Sequence, residues 1–235
     1  EYFRQAIQYL REAGLKAAVA HNLNWLSNLE SRSARHEEAR QLLEEAIAIS
    51  REIGDRRLEA LNLRRMAIGL LNLDKHVEAL PLALQAADLH RQVGDRVSEV
   101  NCENVIALCY VGINDMPNAE IHFMRSLAMA EEIDMVLGIY HVVFNLSESF
   151  YPLQGEYEKA LALVEENLRR PQFQGDDFII RNLLDRKNDL LGQVGQYEAA
   201  LEIARDVLER NMRAENWELA YNSIMRVAYL LIELG

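Results

Sequence analysis

Residues able to do recognition chemistry recur along this chain at a fixed step. Reading across the repeats, His21, Leu61, Asn101, His141, Asn182 and Asn222 form one column. A second holds Asn24, Arg64, Asn104, Phe144, Asp185 and Met225, and a third Trp25, Arg65, Val105, Asn145, Arg186 and Arg226. Positions three or four apart share one face of a helix. On such a face an Asn amide can pair with a ligand's backbone, each net bond being worth about 1 kcal/mol, and an Arg can take a carboxylate in a fork. The candidate binding residues are therefore His21, Asn24, Trp25, Arg64, Arg65, Asn101, Asn104, His141, Asn145, Asn182, Arg186, Asn222 and Arg226. The competing reading is that these side chains only keep a surface hydrated. Binding is favoured because Arg and Asn recur there in a chain short of positive charge, with 25 Lys and Arg against 37 Asp and Glu and a net charge of −12.

Catalytic chemistry is not visible. No Gly is followed by Lys, so there is no phosphate-cradling loop, and there is neither a Gly-x-Ser-x-Gly elbow nor a His-Glu-x-x-His. His36 and His76 lie one period apart and His21 and His141 three, without a third ligand beside them. Glu148 and Asp189 share a column and could form a carboxylate pair, or simply a charged lining. No enzyme, cofactor or metal is expected. Cys102 and Cys109 are seven apart in one helical run, too far for a disulfide, and suit a reducing cytoplasm. The negative balance opposes binding to nucleic acid or anionic lipid, and no apolar stretch of about 18 residues or signal-peptide pattern occurs. The sequon Asn145-Leu146-Ser147 falls inside an apolar helical run.

The elements that must position the columns follow from the period. Gly14, Gly54, Gly94, Asp134, Gly175 and Glu215 are separated by 40, 40, 40, 41 and 40 residues. Units of this size cannot bury their own apolar faces and must stack. The apolar spacing predicts helices near 2–13, 15–30, 35–53, 56–72, 75–93, 96–112, 115–133, 135–151, 156–170, 176–192, 196–210 and 215–234. Gly54-Asp55, Gly94-Asp95 and Gly175-Asp176 stop one helix and cap the next, and Asp74 is expected to cap the helix after it. Pro81 should bend its helix, Pro152 and Pro171 should mark turns, and the extra residue of the 41-step should fall near Pro152. The expected organisation is a single repeat domain over 1–235, with units near 15–54, 55–94, 95–134, 135–175 and 176–215 and partial units at 1–14 and 216–235. Opening at Glu1 in mid-helix, it reads as part of a larger protein. The end helices should expose Phe3, Ile7 and Leu10, or Ile224, Ala228 and Leu231, giving a route to end-to-end self-association.

Three further columns carry a family resemblance. A small residue (Ser27, Ala67, Ala107, Ser147, Asn188, Ala228) precedes a large one (Leu70, Tyr110, Phe150, Leu191, Leu231), followed by an early Ala in the next helix (Ala39, Ala79, Ala119, Ala160, Ala200). With the turns Gly155-Glu156-Tyr157 and Gly195-Gln196-Tyr197, this resembles the tetratricopeptide repeat, lengthened from the usual ~34 residues. Glu30 in the large column, and Asn167 and Asn188 in place of small residues, depart from the pattern. The run from Glu44 to Asp55 is similar to the long-repeat subclass in bacterial regulators resembling the maltose-regulon activator and other signal-transduction ATPases with numerous domains (STAND proteins). The resemblance implies an all-α, right-handed superhelical solenoid of about twelve antiparallel helices, with the recognition columns on its concave face. It further implies a non-catalytic sensor binding a peptide, a protein or a small effector. A passive scaffold is the alternative. On this reading Arg186→Ala should weaken binding and hardly touch stability.

Overall fold

The computed structural model describes residues 2–235. All regular elements among them are helical: α1 (Tyr2–Glu12), α2 (Lys16–Arg32), α3 (His36–Glu52), α4 (Arg56–Leu71), α5 (His76–Gln92), α6 (Arg96–Gly112) and α7 (Met116–Glu132) come first. Then follow α8 (Val136–Asn145), a π-turn (Leu146–Phe150), α9 (Tyr151–Leu153), α10 (Tyr157–Leu168), a 3₁₀ turn (Pro171–Phe173), α11 (Asp177–Gln193), α12 (Tyr197–Arg213) and α13 (Trp217–Leu234). With α8, the π-turn and α9 taken as one rod, these are the twelve helices expected. The chain falls into two compact units, Glu1–Gly138 and Ile139–Gly235.

A left-handed residue in each joint sets the rhythm, following its helix directly except after α10, where a 3₁₀ turn intervenes before Gly175. Positive φ occurs at 14, 34, 54, 74, 94, 114 and 134, then at 155, 175, 195, 215 and 235. Each step is 20 residues except 134 to 155, which is 21. At Gly94 (φ 69°) the next N–H, of Asp95, donates back to the His90 carbonyl at 2.9 Å, a bond that turns the chain sharply. Asp95 then accepts from the Ser98 N–H at 3.1 Å, as Asp55 does from Leu58 and Asp176 from Ile179. Asp74 departs from its expected role. It occupies the left-handed position itself (φ 56°), and the capping position passes to Lys75, whose side chain makes no capping bond.

The 21-residue step is a π-turn. One extra residue is absorbed inside the helical rod, and the Tyr151 N–H reaches back five residues to the Leu146 carbonyl. The same pattern points the next nitrogen at the Ser147 carbonyl, but that nitrogen belongs to Pro152 and carries no hydrogen. Helix α5 runs on through Pro81, which lies on the exposed side.

The packing columns form the cores. Ala67, Ala79, Ala107, Ala119, Ala160 and Ala200 are fully buried, letting helices approach, and Leu70 and Phe150 fill the space beside them. Glu30, in the large column, is buried and ion-paired to Arg35 and to Arg4 of α1, which hold its carboxyl below the usual range against the opposing effect of burial. At the beginning of the chain the expected exposure is only partial. Phe3 is exposed, but Ile7 is buried and Leu10 half-buried against Val19 and Leu23, because α1 lays that face on α2. Ile224, Ala228 and Leu231 are exposed as expected. Among the described residues no helix is long and apolar enough to cross a membrane. Both cysteines are free and buried.

Candidate functional site

In the first unit the candidate residues stand on α2, α4 and α6. Leu23 and Leu26 turn α2 inward, which leaves His21 exposed and Trp25 58% exposed on the opposite side. Asn24, expected beside them, does not reach that surface. It is 4% exposed and donates to Asn62 Oδ1 at 2.7 Å; Asn62 donates to Ser50 Oγ at 3.1 Å, and Ser50 to the Ala46 carbonyl at 2.7 Å. Its amide is spent within the core.

Helix α4 places Arg64 and Arg65 side by side, both half-buried. Neither forms an ion pair among the described residues, although acids outnumber bases in this chain, and Arg64 Nε is buried without a hydrogen-bond partner. Burial, and secondly the charge of Arg64, lower the pKa of Arg65. On α6, Asn101 folds back to donate to the Val97 carbonyl at 3.1 Å, Asn104 is half-buried, and Val105 is buried.

In the second unit Asn145 is half-buried, Asn222 is exposed, and Asn182 donates to the Phe178 carbonyl at 2.6 Å. His141 presents an exposed edge with its ring 5.4 Å from that of Tyr140, and desolvation lowers its pKa. Arg186 donates through Nε, at 3.0 Å, and through Nη2 to the Ser147 carbonyl. That is the carbonyl left without a backbone donor by Pro152, so Arg186 completes the π-turn. The expectation that Arg186→Ala would spare stability is therefore corrected. Arg226 donates to Asp185 and lies 3.2 Å from Asp189, whose pKa desolvation raises against the pull of Arg226 and Arg186. Arg186, Asp189, Gln193, Tyr197, Arg226 and Tyr229 line a cavity of about 480 Å³ that opens to solvent. Arg186 feels the charges of both Glu148 and Asp189, so these carboxylates flank a cation.

Sequence reasoning missed a second kind of site. His90 is 1% exposed with both ring nitrogens unpartnered, and its Nδ1 is 3.6 Å from Asp95, too far for a hydrogen bond. Burial lowers its pKa. It also missed the buried carboxylates Glu99 and Glu103, neutralised by Arg91 and Arg125 and, at Glu103, by His122 at 2.7 Å. An acidic residue inside an apolar helical run was the available signal. No group of three His, Cys, Asp or Glu among the described residues could hold a metal ion.

Comparison with known proteins agrees with this architecture. Residues 56–132 match the tetratricopeptide repeat family model. No curated protein sequence matches the chain. Among solved structures, BtubC (BKLC) from P. vanneervenii is similar at 15% identity and TM-score 0.75, over 92% of this chain and 90% of that one. A STAND protein with a tetratricopeptide repeat sensor from Pyrococcus horikoshii is similar at 18% identity and TM-score 0.74, over 99% of this chain, which spans 36% of that protein. A Rap protein complexed with competence and sporulation factor follows at 19% identity and TM-score 0.64, over 99% of this chain and 71% of that one. By a sequence match over 56–132 and by fold along its described length, the chain is an all-α array of tetratricopeptide-like helix pairs.

Proposed function

We propose that this chain is a non-catalytic recognition module of a larger cytoplasmic signalling protein of the STAND kind, forming one repeat domain over its whole length. The open faces of its first helices take an extended acidic peptide or a protein segment. The observation that carries this is the pair Arg64 and Arg65: two half-buried cations with no carboxylate partner among the described residues, one period along from an exposed Trp25 in the same column, in a chain of net charge −12. An anionic partner would recover the electrostatic energy that the fold leaves unused. Similarity to a Rap protein complexed with competence and sporulation factor and to a STAND protein with a tetratricopeptide repeat sensor supports the same reading.

Fluorescence in a Trp217→Phe background tests it, since the emission then reports the exposed Trp25, which shares the column of Arg65 one period away. Acidic peptides should perturb its emission, basic peptides should not, and the double variant Arg64→Gln/Arg65→Gln should lose the response. Equal responses to both peptide charges, or an unaffected double variant, would sink the reading. The scaffold alternative has its own support in α13, where Trp217, Tyr221, Leu231 and Ile232 are 66%, 62%, 45% and 76% exposed. Sedimentation that shows no concentration-dependent association would remove it.

A further inference from the structure

The repeat builds the same joint twice in the first unit and finishes it in two ways. Where α4, α5 and α6 meet, Ile68, Leu71, Leu80, Val105 and Cys109 close the space as part of one apolar core. One period earlier, where α2, α3 and α4 meet, the corresponding residues are Asn28, Ser31, Arg40, Arg65 and Gly69. There the joint is a cavity of about 60 Å³ that opens to solvent. Its floor is apolar, made by Leu43, Met66 and Leu70, and no carboxylate among the described residues lines it.

Gly69 is the residue that keeps this space open. It lies inside α4, where glycine weakens a helix, and a Cβ there would meet no atom within 4 Å. No neighbour requires its smallness, in contrast to Gly112, whose Cβ would meet the His76 ring at 2.1 Å. Of the polar lining, Arg40 is already paired with Glu37 and Glu44, whereas Arg65 pairs with no acid and neither Asn28 nor Ser31 has a side-chain partner among the described residues.

We propose that this joint is a binding site for a small amphiphilic carboxylate, its head on Arg65 and the amides around it, its hydrocarbon part against Leu43, Met66 and Leu70. An apolar floor with one uncompensated cation at the rim selects that chemistry: an alcohol leaves the cation unpaired, and an amine repels it. The inference goes beyond the peptide-binding reading and shares only Arg65 with it.

Titration calorimetry with hexanoate, hexanol and hexylamine on the intact chain provides the test. Hexanoate should bind, with the other two at least about tenfold weaker, and Arg65→Gln should weaken hexanoate about ten- to a hundredfold. Gly69→Leu should abolish hexanoate binding by filling the space while leaving the Trp25 response to acidic peptide intact, which separates the two readings. Absence of hexanoate binding, equal binding of hexylamine, or undiminished binding by either variant would overturn the proposal. Circular dichroism of each variant fixes whether it is folded. Should Gly69→Leu not fold, Ser31→Leu closes the same space and decides the matter.

Discussion

Two places one period apart show how differently the same backbone position can be used. At the first, Asn24, Asn62 and Ser50 make a chain in which each donor finds an acceptor, ending on the Ala46 carbonyl. At the second, the corresponding residues are Arg64, Cys102 and His90. There Arg64 Nε and both nitrogens of His90 are buried and unpartnered, and burial pushes the Cys102 thiol up to about 12, so it stays an inert SH group. Buried polar groups gain little when paired and cost much when not. The first triad therefore fastens α2 to α4, whereas the second costs stability at a position next to the uncompensated arginines. Unsatisfied groups that persist beside the proposed recognition face are what a binding function would leave behind.

The comparison can be broken most decisively at the first triad. Asn62→Ala removes the acceptor of Asn24 and leaves a small void, and should destabilise by about 2–4 kcal/mol. Cys102→Ala, at the second, should cost about 1 kcal/mol, since only a buried thiol's packing is lost. Urea denaturation of both variants measures the difference. Equal losses would show that the two sites are fastened alike.

The second effect is a pH dependence with a definite sign. Burial holds His90's folded pKa below its unfolded value of about 6.5, Asp95 opposing and Arg64 and Arg57 assisting. As pH falls through about 6.5, the unfolded chain takes up a proton that the folded one refuses. Stability is thus full above that pH and is lost below it, by up to about 1.4 kcal/mol per pH unit for this residue. His141, lowered in the same direction, adds its own slope. Denaturation at pH 7.5 and at pH 5.5, as about the two sides of this window, should show the loss in the wild type and a smaller one in His90→Asn. An unchanged slope in that variant would remove His90 from the account.

The sequence disclosed what depends on local chemistry. The Gly94-Asp95 joint was legible because a left-handed glycine followed by a capping carboxylate works within a few residues. The small columns were legible because tight helix approach admits little else. Asp74 misled because Asp serves as a cap and also tolerates the left-handed region, and composition does not separate the two uses. Asn24 misled for a longer-range reason. An Asn on a helix face looks the same whether it meets water or an amide 38 residues away, and only the packing of α2 on α4 decides. Likewise the 41-residue step and Pro152 announced an irregularity, but whether Arg186 is drawn in to satisfy the Ser147 carbonyl is decided by packing across 39 residues of chain.

The smallest expected effect is the one that separates fastening from recognition. Arg64→Met keeps the length and apolar stem of the side chain and removes the orphaned Nε together with a charge adjacent to Arg65. Because Arg64 is only half-buried, the gain is limited by solvent screening, and the variant should be more stable by at most about 1 kcal/mol. The corresponding change one period earlier, Asn24→Met, should lower stability by about 1–3 kcal/mol, since it strands the Asn62 carbonyl in the core. Opposite signs at equivalent positions would establish that only the first triad holds the fold together. Arg64→Met should at the same time weaken the response of Trp25 to acidic peptide, so that stability rises as binding falls. A loss of more than about 1 kcal/mol in Arg64→Met would mean that Arg64 is a structural residue like Asn24, and the contrast between the two sites would collapse.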